Sequence, residues 1–413
     1  MRVTVCLCRQ HYGRRWKEIW KREGKLKIPS TDVPRWIQDL GIQVVDPTVP
    51  PPVEKKRWTL PVPDDPRFCK PTYPNDHPDF HEQKRHIFNL NTYLLEGTKQ
   101  IKTLTKTQVI EGQPKPLADL IGKVDHPLQD ELIQRYIMQA NVWNPATYKL
   151  PKRINFRLPG WKYKPETGIT MGLMMRTLVE NLIRLCDMIA VEEYPQVLTE
   201  RRHTHDHVTW THFNTQGVPI HVLAHSDHMI SSNKPLPLFA DEAMIDSSKA
   251  IVLPDFYPMS PLIDVKLHNV WREDTCNGWT PEYQFPHVHN FVFLNNDTWP
   301  NDRRNARAIM FCLAHCLTQA KKLYGEDVKV LPKPISVNCT HTNGIVFHFV
   351  NFQLNTLDFE NQEGVKNIAW IDSCRMYRKI LPKRAMLNKT EYKDYNPVAF
   401  QMFKARYLHG LVK

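Results

Sequence analysis

The sequence predicts an α+β fold: a mixed or antiparallel sheet with packed helices, preceded by an extended, basic and proline-rich N-terminal arm. Three observations lead there. Apolar residues recur at helical spacing in three long segments, strand-like runs and turn signals alternate with the last of them, and ten prolines crowd the stretch from Pro47 to Pro78. A length of 413 residues suits two or three domains at about 150 residues each. We expect an arm over 1–80, a helical region with a His-rich hairpin over 81–250, and an α+β domain over 251–413.

The arm comes first. Residues 1–30 carry nine Lys or Arg, among them Arg14, Arg15, Lys17, Lys21 and Arg22, against Glu18 and Glu23. Much of the chain's net +12 therefore sits at its start, which points to an anionic partner. "RRWKEIWKR" places Trp16, Ile19 and Trp20 on one side of a helix. An Arg-rich, acid-poor start of this kind reads as a mitochondrial targeting segment and equally as an RNA-binding arm, and the two readings are compatible. The proline-rich stretch that follows is expected to lie extended over a surface, with Trp58, Phe68, Tyr73 and Phe80 as docking points.

The body begins near His81. "LQDELIQRYIMQANV" over 128–142 spaces Leu128, Leu132, Ile133, Tyr136, Ile137 and Ala140 for one helix. Residues 170–190 do the same with a methionine stripe, Met171, Met174 and Met175, that reads as core filler. Between them, "YKLPKRINFRLPGWKYKP" interleaves Lys149, Lys152, Arg153, Arg157, Lys162 and Lys164 with Tyr148, Phe156, Trp161 and Tyr163, with no acid from Lys149 to Pro165. Cations neutralise phosphate and exposed rings stack on unpaired bases, so these six cations and Trp161 are candidate RNA contacts. The competing reading is a solvated loop whose rings anchor it to its own domain.

"RRHTHDHVTWTHFN" runs into "TQGVPIHVLAHSDH", so that His203, His205, His207, His212, His221, His225 and His228 follow closely. Alternation of Val, Thr and Trp around the "NTQG" turn signal predicts a β-hairpin. Side-chain alternation then puts His203, His205 and His207 on one face, with Val208 and Trp210 on the other. Histidines at i and i+2 can reach one zinc ion, which opens the reading of a zinc-dependent hydrolase. "HTHDH" is out of register with the HxHxDH of metallo-β-lactamase-like hydrolases, and their glycine-rich loops are not evident. The expectation is a polar hairpin face holding no stoichiometric metal.

In the last region, "AIVLPDFYPMSPLIDVKLHNVW" and "PHVHNFVFLNN" read as strands or extended segments. Residues 303–324 form the clearest helix, with Asn301 or Asp302 expected as its cap, Lys321 and Lys322 at its negative end and Gly325 as its stop. "KPISVNCTHTNGIVFHFVNFQLNT" reads as a hairpin turning at Asn343-Gly344.

Several function classes are disfavoured. Only 15 glycines occur, and none falls in a GxxxxGK[ST], GxGxxG or GxSxG pattern. No apolar run reaches the ~18 residues of a membrane span. Nine cysteines without a CxxC, including Cys312 and Cys316 beside His315, read as buried thiols in a reduced compartment.

Residues 314–373, carrying "QLNT", "EGVKN" and "AW", resemble the C-terminal region of the mitochondrial large ribosomal subunit protein thirty-seven family. "LTKTQVIEGQP" from Leu104, "FYPMSPLIDV" from Phe256 and "YLHG" from Tyr407 match the same family in the same order. The resemblance runs discontinuously from about residue 60 onward and leaves out both the N-terminal 60 residues and the histidine hairpin. It implies a non-enzymatic structural protein of the mitochondrial large ribosomal subunit, needing no cofactor. It also implies large-subunit rRNA and neighbouring ribosomal proteins as partners, including a related protein linked by name to programmed cell death. A free RNA-binding factor of the mitochondrial matrix remains the alternative of another class.

Overall fold

The structure, a computed structural model, describes residues 32–41, 77–142, 168–380 (except 281, 296, 327 and 329) and 391–411. The chain divides into a unit over 1–72 and a unit over 73–413. In the first, the described residues hold one helical turn, Arg35–Asp39, started by Pro34. The second contains the sheet and its helices. No described helix is long and apolar enough to cross a membrane.

Among the described residues, nine strands form one sheet: β1 (Phe80–Phe88), β2 (Thr107–Glu111), β3 (Arg201–Thr215), β4 (Val218–Ser232), β5 (Lys266–Val270), β6 (His287–Leu294), β7 (Ile335–Thr342), β8 (Val346–Leu354) and β9 (Asn367–Arg375). Their order is β2-β9-β8-β7-β6-β4-β1-β5, with β3 paired to β4. The sheet is mixed: β2 runs parallel to β9, β6 to β7 and β1 to β4, while the other pairs are antiparallel. Its strands come from both sides of residue 250, where a domain boundary was expected. A separate ribbon pairs β10 (Arg378–Ile380) with β11 (Glu391–Lys393).

Helices cover both faces. α1 (Gly97–Leu104) and α4 (Asn301–Tyr324) bury Ile101, Leu104, Ile309, Phe311 and Leu313 against Phe291, Phe293, Val350 and Phe352. α2 (Gln129–Val142), α3 (Met171–Glu193) and α5 (Pro397–Leu408) bury Ile133, Leu182, Phe400 and Phe403 against Val292, Phe347 and Phe349. Alternate residues of β6 and β8 therefore enter opposite cores, as a two-residue period dictates when both faces are covered. Every residue of β7 is buried. Burial at roughly 25 cal/mol per Å² of apolar surface makes these two interfaces the main source of stability.

The expected helices form close to their predicted bounds. Thr170 caps α3 by accepting from Leu173 N at 3.4 Å. Leu128 falls outside α2 and is exposed. Met174 and Met175 fill core, where they abut the position a Cβ on Gly344 would take. Asn301 and Asp302 do not cap α4, whose N-cap position is Pro300 with no side-chain cap. Asp302 instead accepts the Thr98 N–H at 3.2 Å and the Thr98 hydroxyl, tying down the start of α1. Its carboxylate occupies the space a Cβ on Gly97 would need, and Gly97 sits at φ 49.

Candidate functional site

The histidine hairpin forms in the expected place. Gln216 and Gly217, at φ 52 and 73, make the two-residue turn, and register holds from Thr215↔Val218 to Arg201↔Ser232. Its histidines do not form one row. Asp206 has φ 48, a left-handed conformation that Asp tolerates better than most residues and that interrupts extended backbone. His203 and His205 stay together on one side of this kink, and the third ring to join them is His228, across the strand pair from His205. Donor nitrogens of these three all lie within 4.8 Å of one another, and His203 Nε2 is 3.2 Å from His228 Nδ1.

His207, expected in that row, turns elsewhere. Its Nε2–H donates to Asn277 O at 2.7 Å, and its ring lies beside Trp279. With His315 it lines a small cavity of about 10 Å³, the size of one water. His315 is fully buried and hydrogen-bonded at both nitrogens, to Thr209 Oγ1 at 3.3 Å and Ser226 Oγ at 3.0 Å. Burial, with His207 adding like charge, pushes its pKa down to about 3. Burial likewise lowers His203 to about 4 and His228 to about 3, with the neighbouring imidazoles adding to the shift. At neutral pH His203, His228 and His315 are therefore uncharged. Val208 and Trp210 line a separate pocket of about 400 Å³ with Trp271 and Arg272.

The candidate cations lie outside the described residues: Arg14, Arg15, Lys17, Lys21 and Arg22 in the arm, and Lys149, Lys152, Arg153, Arg157, Lys162 and Lys164, with Trp161, between α2 and α3. The sequence reading missed the charged groups that hold the core together. Arg406 is buried, donates to Met402 O at 2.7 Å and Asn351 Oδ1 at 3.0 Å, and lies 4.0 Å above the Phe349 ring. Burial lowers its pKa to about 9. Lys404 reaches Val124 O, Asp125 at 2.6 Å and Gln129 at 3.0 Å. Arg201 donates to the Tyr407 and His409 carbonyls, and the Tyr407 hydroxyl donates to Asp187. Arg304 and Arg307 share Asp297 at 2.8 and 2.6 Å and hold its carboxyl below its usual range against the opposing effect of burial. The available signal was charge inside otherwise apolar helical runs such as "AFQMFKARYLHG".

The "QLNT", "EGVKN" and "AW" motifs fall on the same kind of lock. Gln353 Oε1 accepts from Phe239 N and Ala240 N at 2.8 and 2.9 Å. Asn367 Oδ1 accepts from Asn355 N and Thr356 N at 2.8 and 3.0 Å, while its amide donates to Thr105 O at 3.1 Å. Lys366 is buried and donates to Gly364 O at 2.7 Å. Trp370 packs edge-on to Phe239, whose other neighbour is the His409 ring.

Fold and site together define an α+β scaffold in which Arg201, Arg307, Gln353, Asn367, Lys404 and Arg406 are committed to internal locks. No family model matches the sequence. Over 361 residues it is 31% identical to large ribosomal subunit protein mL37 of Mus musculus, covering 84% of this chain and 80% of that one. The protein of the same name from Gallus gallus is 31% identical over 332 residues, covering 77% and 72% of the two chains, and that of Bos taurus is 29% identical over 360. The chain belongs to this mL37 family of mitochondrial large ribosomal subunit proteins.

Proposed function

We propose that the chain is a structural, non-catalytic component of the mitochondrial large ribosomal subunit, working in the matrix. It binds large-subunit rRNA through its basic N-terminal arm and the segment over 148–165, and docks on neighbouring ribosomal proteins, including a related protein of the same family. The observation that carries this reading is the family relation, which extends over most of both chains at a level where fold and role are shared. Three residues of the resembling motifs support it, since Gln353, Asn367 and Trp370 hold the fold together through internal hydrogen bonds and ring packing. The hydrolase alternative loses the His203, His205 and His207 ligand set on which it was built, because His207 is tied to Asn277 and lines a cavity of about 10 Å³.

The test of RNA contact is a five-fold variant. Replacing Lys152, Arg153, Arg157, Lys162 and Lys164 should weaken binding to the isolated large-subunit rRNA by lost counterion release. The salt slope should fall by about 0.7–0.9 for each phosphate contact removed. An unchanged slope would remove this segment from the RNA interface and leave it to protein contacts.

A further inference from the structure

We propose that His203, His205 and His228 form a zinc site that clamps β3 to β4. The three imidazoles come from both strands of the hairpin, and their donor nitrogens lie within 4.8 Å of one another. Zinc bound by imidazole at about 2.0–2.1 Å with tetrahedral angles places its ligand nitrogens ~3.3 Å apart. The His203 Nε2 to His228 Nδ1 separation of 3.2 Å already matches one edge of that tetrahedron.

The third ligand needs to move inward by at most roughly 1.5 Å to complete the face. His205 is the exposed member of the trio, so this is a side-chain adjustment. His228 is 1% exposed, so its ring is held in place by the core, and its Nδ1 faces His203 Nε2. Arg176, the cation nearest the cluster on α3, is paired with Asp206 at 3.0 Å, which reduces its repulsion of an incoming ion. The kink at Asp206 excludes His207 and lets His203 and His205 turn together toward β4. Three imidazoles with the fourth position left to water are a donor set zinc accepts, and because they come from two strands the bound ion would tie the strands together.

Zinc content of purified large subunits tests this. Subunits carrying the His205→Ala chain should hold one zinc equivalent fewer than wild type, and those carrying His207→Ala should match wild type. Equal zinc in the wild-type and His205→Ala particles overturns the proposal, as does an equal loss in His207→Ala. A second measurement needs no assembly: the purified full-length chain titrated with Co(II) should saturate at one equivalent, with the visible bands of a tetrahedral ion that zinc then bleaches. No saturable binding, or the same titration in His205→Ala, also overturns it.

Discussion

Gln353 Oε1 serves two backbone N–H groups, those of Phe239 and Ala240, while its Nε2 donates to Asn355 at 2.9 Å. Gln353→Leu keeps the side-chain volume and strips the acceptor, leaving two buried donors unpaired. At about 1–3 kcal/mol for each stranded group, we expect a loss of roughly 2–5 kcal/mol in urea unfolding of the purified chain. A loss below about 1 kcal/mol would show that water replaces the lock. His315 gives a pH prediction. Its folded-state pKa of about 3 lies below the ~6.5 of an unfolded histidine, so between those values the unfolded chain binds the extra proton. Its contribution is complete above pH ~6.5 and is lost as pH falls toward 3. His203, His228 and His409 act in the same direction. His315→Asn should make the acid slope of unfolding free energy shallower by up to about 1.4 kcal/mol per pH unit between those limits. An unchanged slope would contradict the buried neutral ring.

Among the elements, those written in periodicity were legible and those made by long-range pairing were not. α4 announced itself through its apolar spacing, and the β3–β4 hairpin through alternation around a turn. β1 and β2 gave no such signal, because each is flanked by partners distant in sequence: β1 by β4 and β5, β2 by β9. The histidine cluster was half legible. His203 and His205 follow from strand alternation, but the exchange of His207 for His228 depends on one left-handed residue and on cross-strand register. Asp206 in "HTHDH" was the available hint, since Asp visits that region more readily than most residues. For the segment over 148–165, Trp161 separates its two readings. As an anchor in its own domain, Trp161→Ala should cost on the order of 3–5 kcal/mol of folding stability. As a stacking platform it should leave stability intact and weaken RNA binding by roughly 1–3 kcal/mol, which our reading predicts. Denaturant unfolding and RNA titration of the same variant decide between them.

At the scale of the whole molecule, composition speaks to the kind of partner and periodicity to the architecture. A net +12 with the cations gathered at the start pointed to RNA or to a targeting role. The single sheet drawing strands from residue 80 to residue 375 was not visible, because sequence patterns mark strands without saying which of them pair. Residues 1–30 should direct a fused reporter into mitochondria, and a reporter that stays in the cytosol would leave that segment only its RNA-arm role. The central claim is membership of the large subunit as a working part, and sedimentation of a native mitochondrial extract tests it most directly. The chain should travel almost wholly with the large subunit and shift with it when whole ribosomes form. A chain spread through the light fractions, free or on other RNA, would contradict the account and favour a free RNA-binding factor.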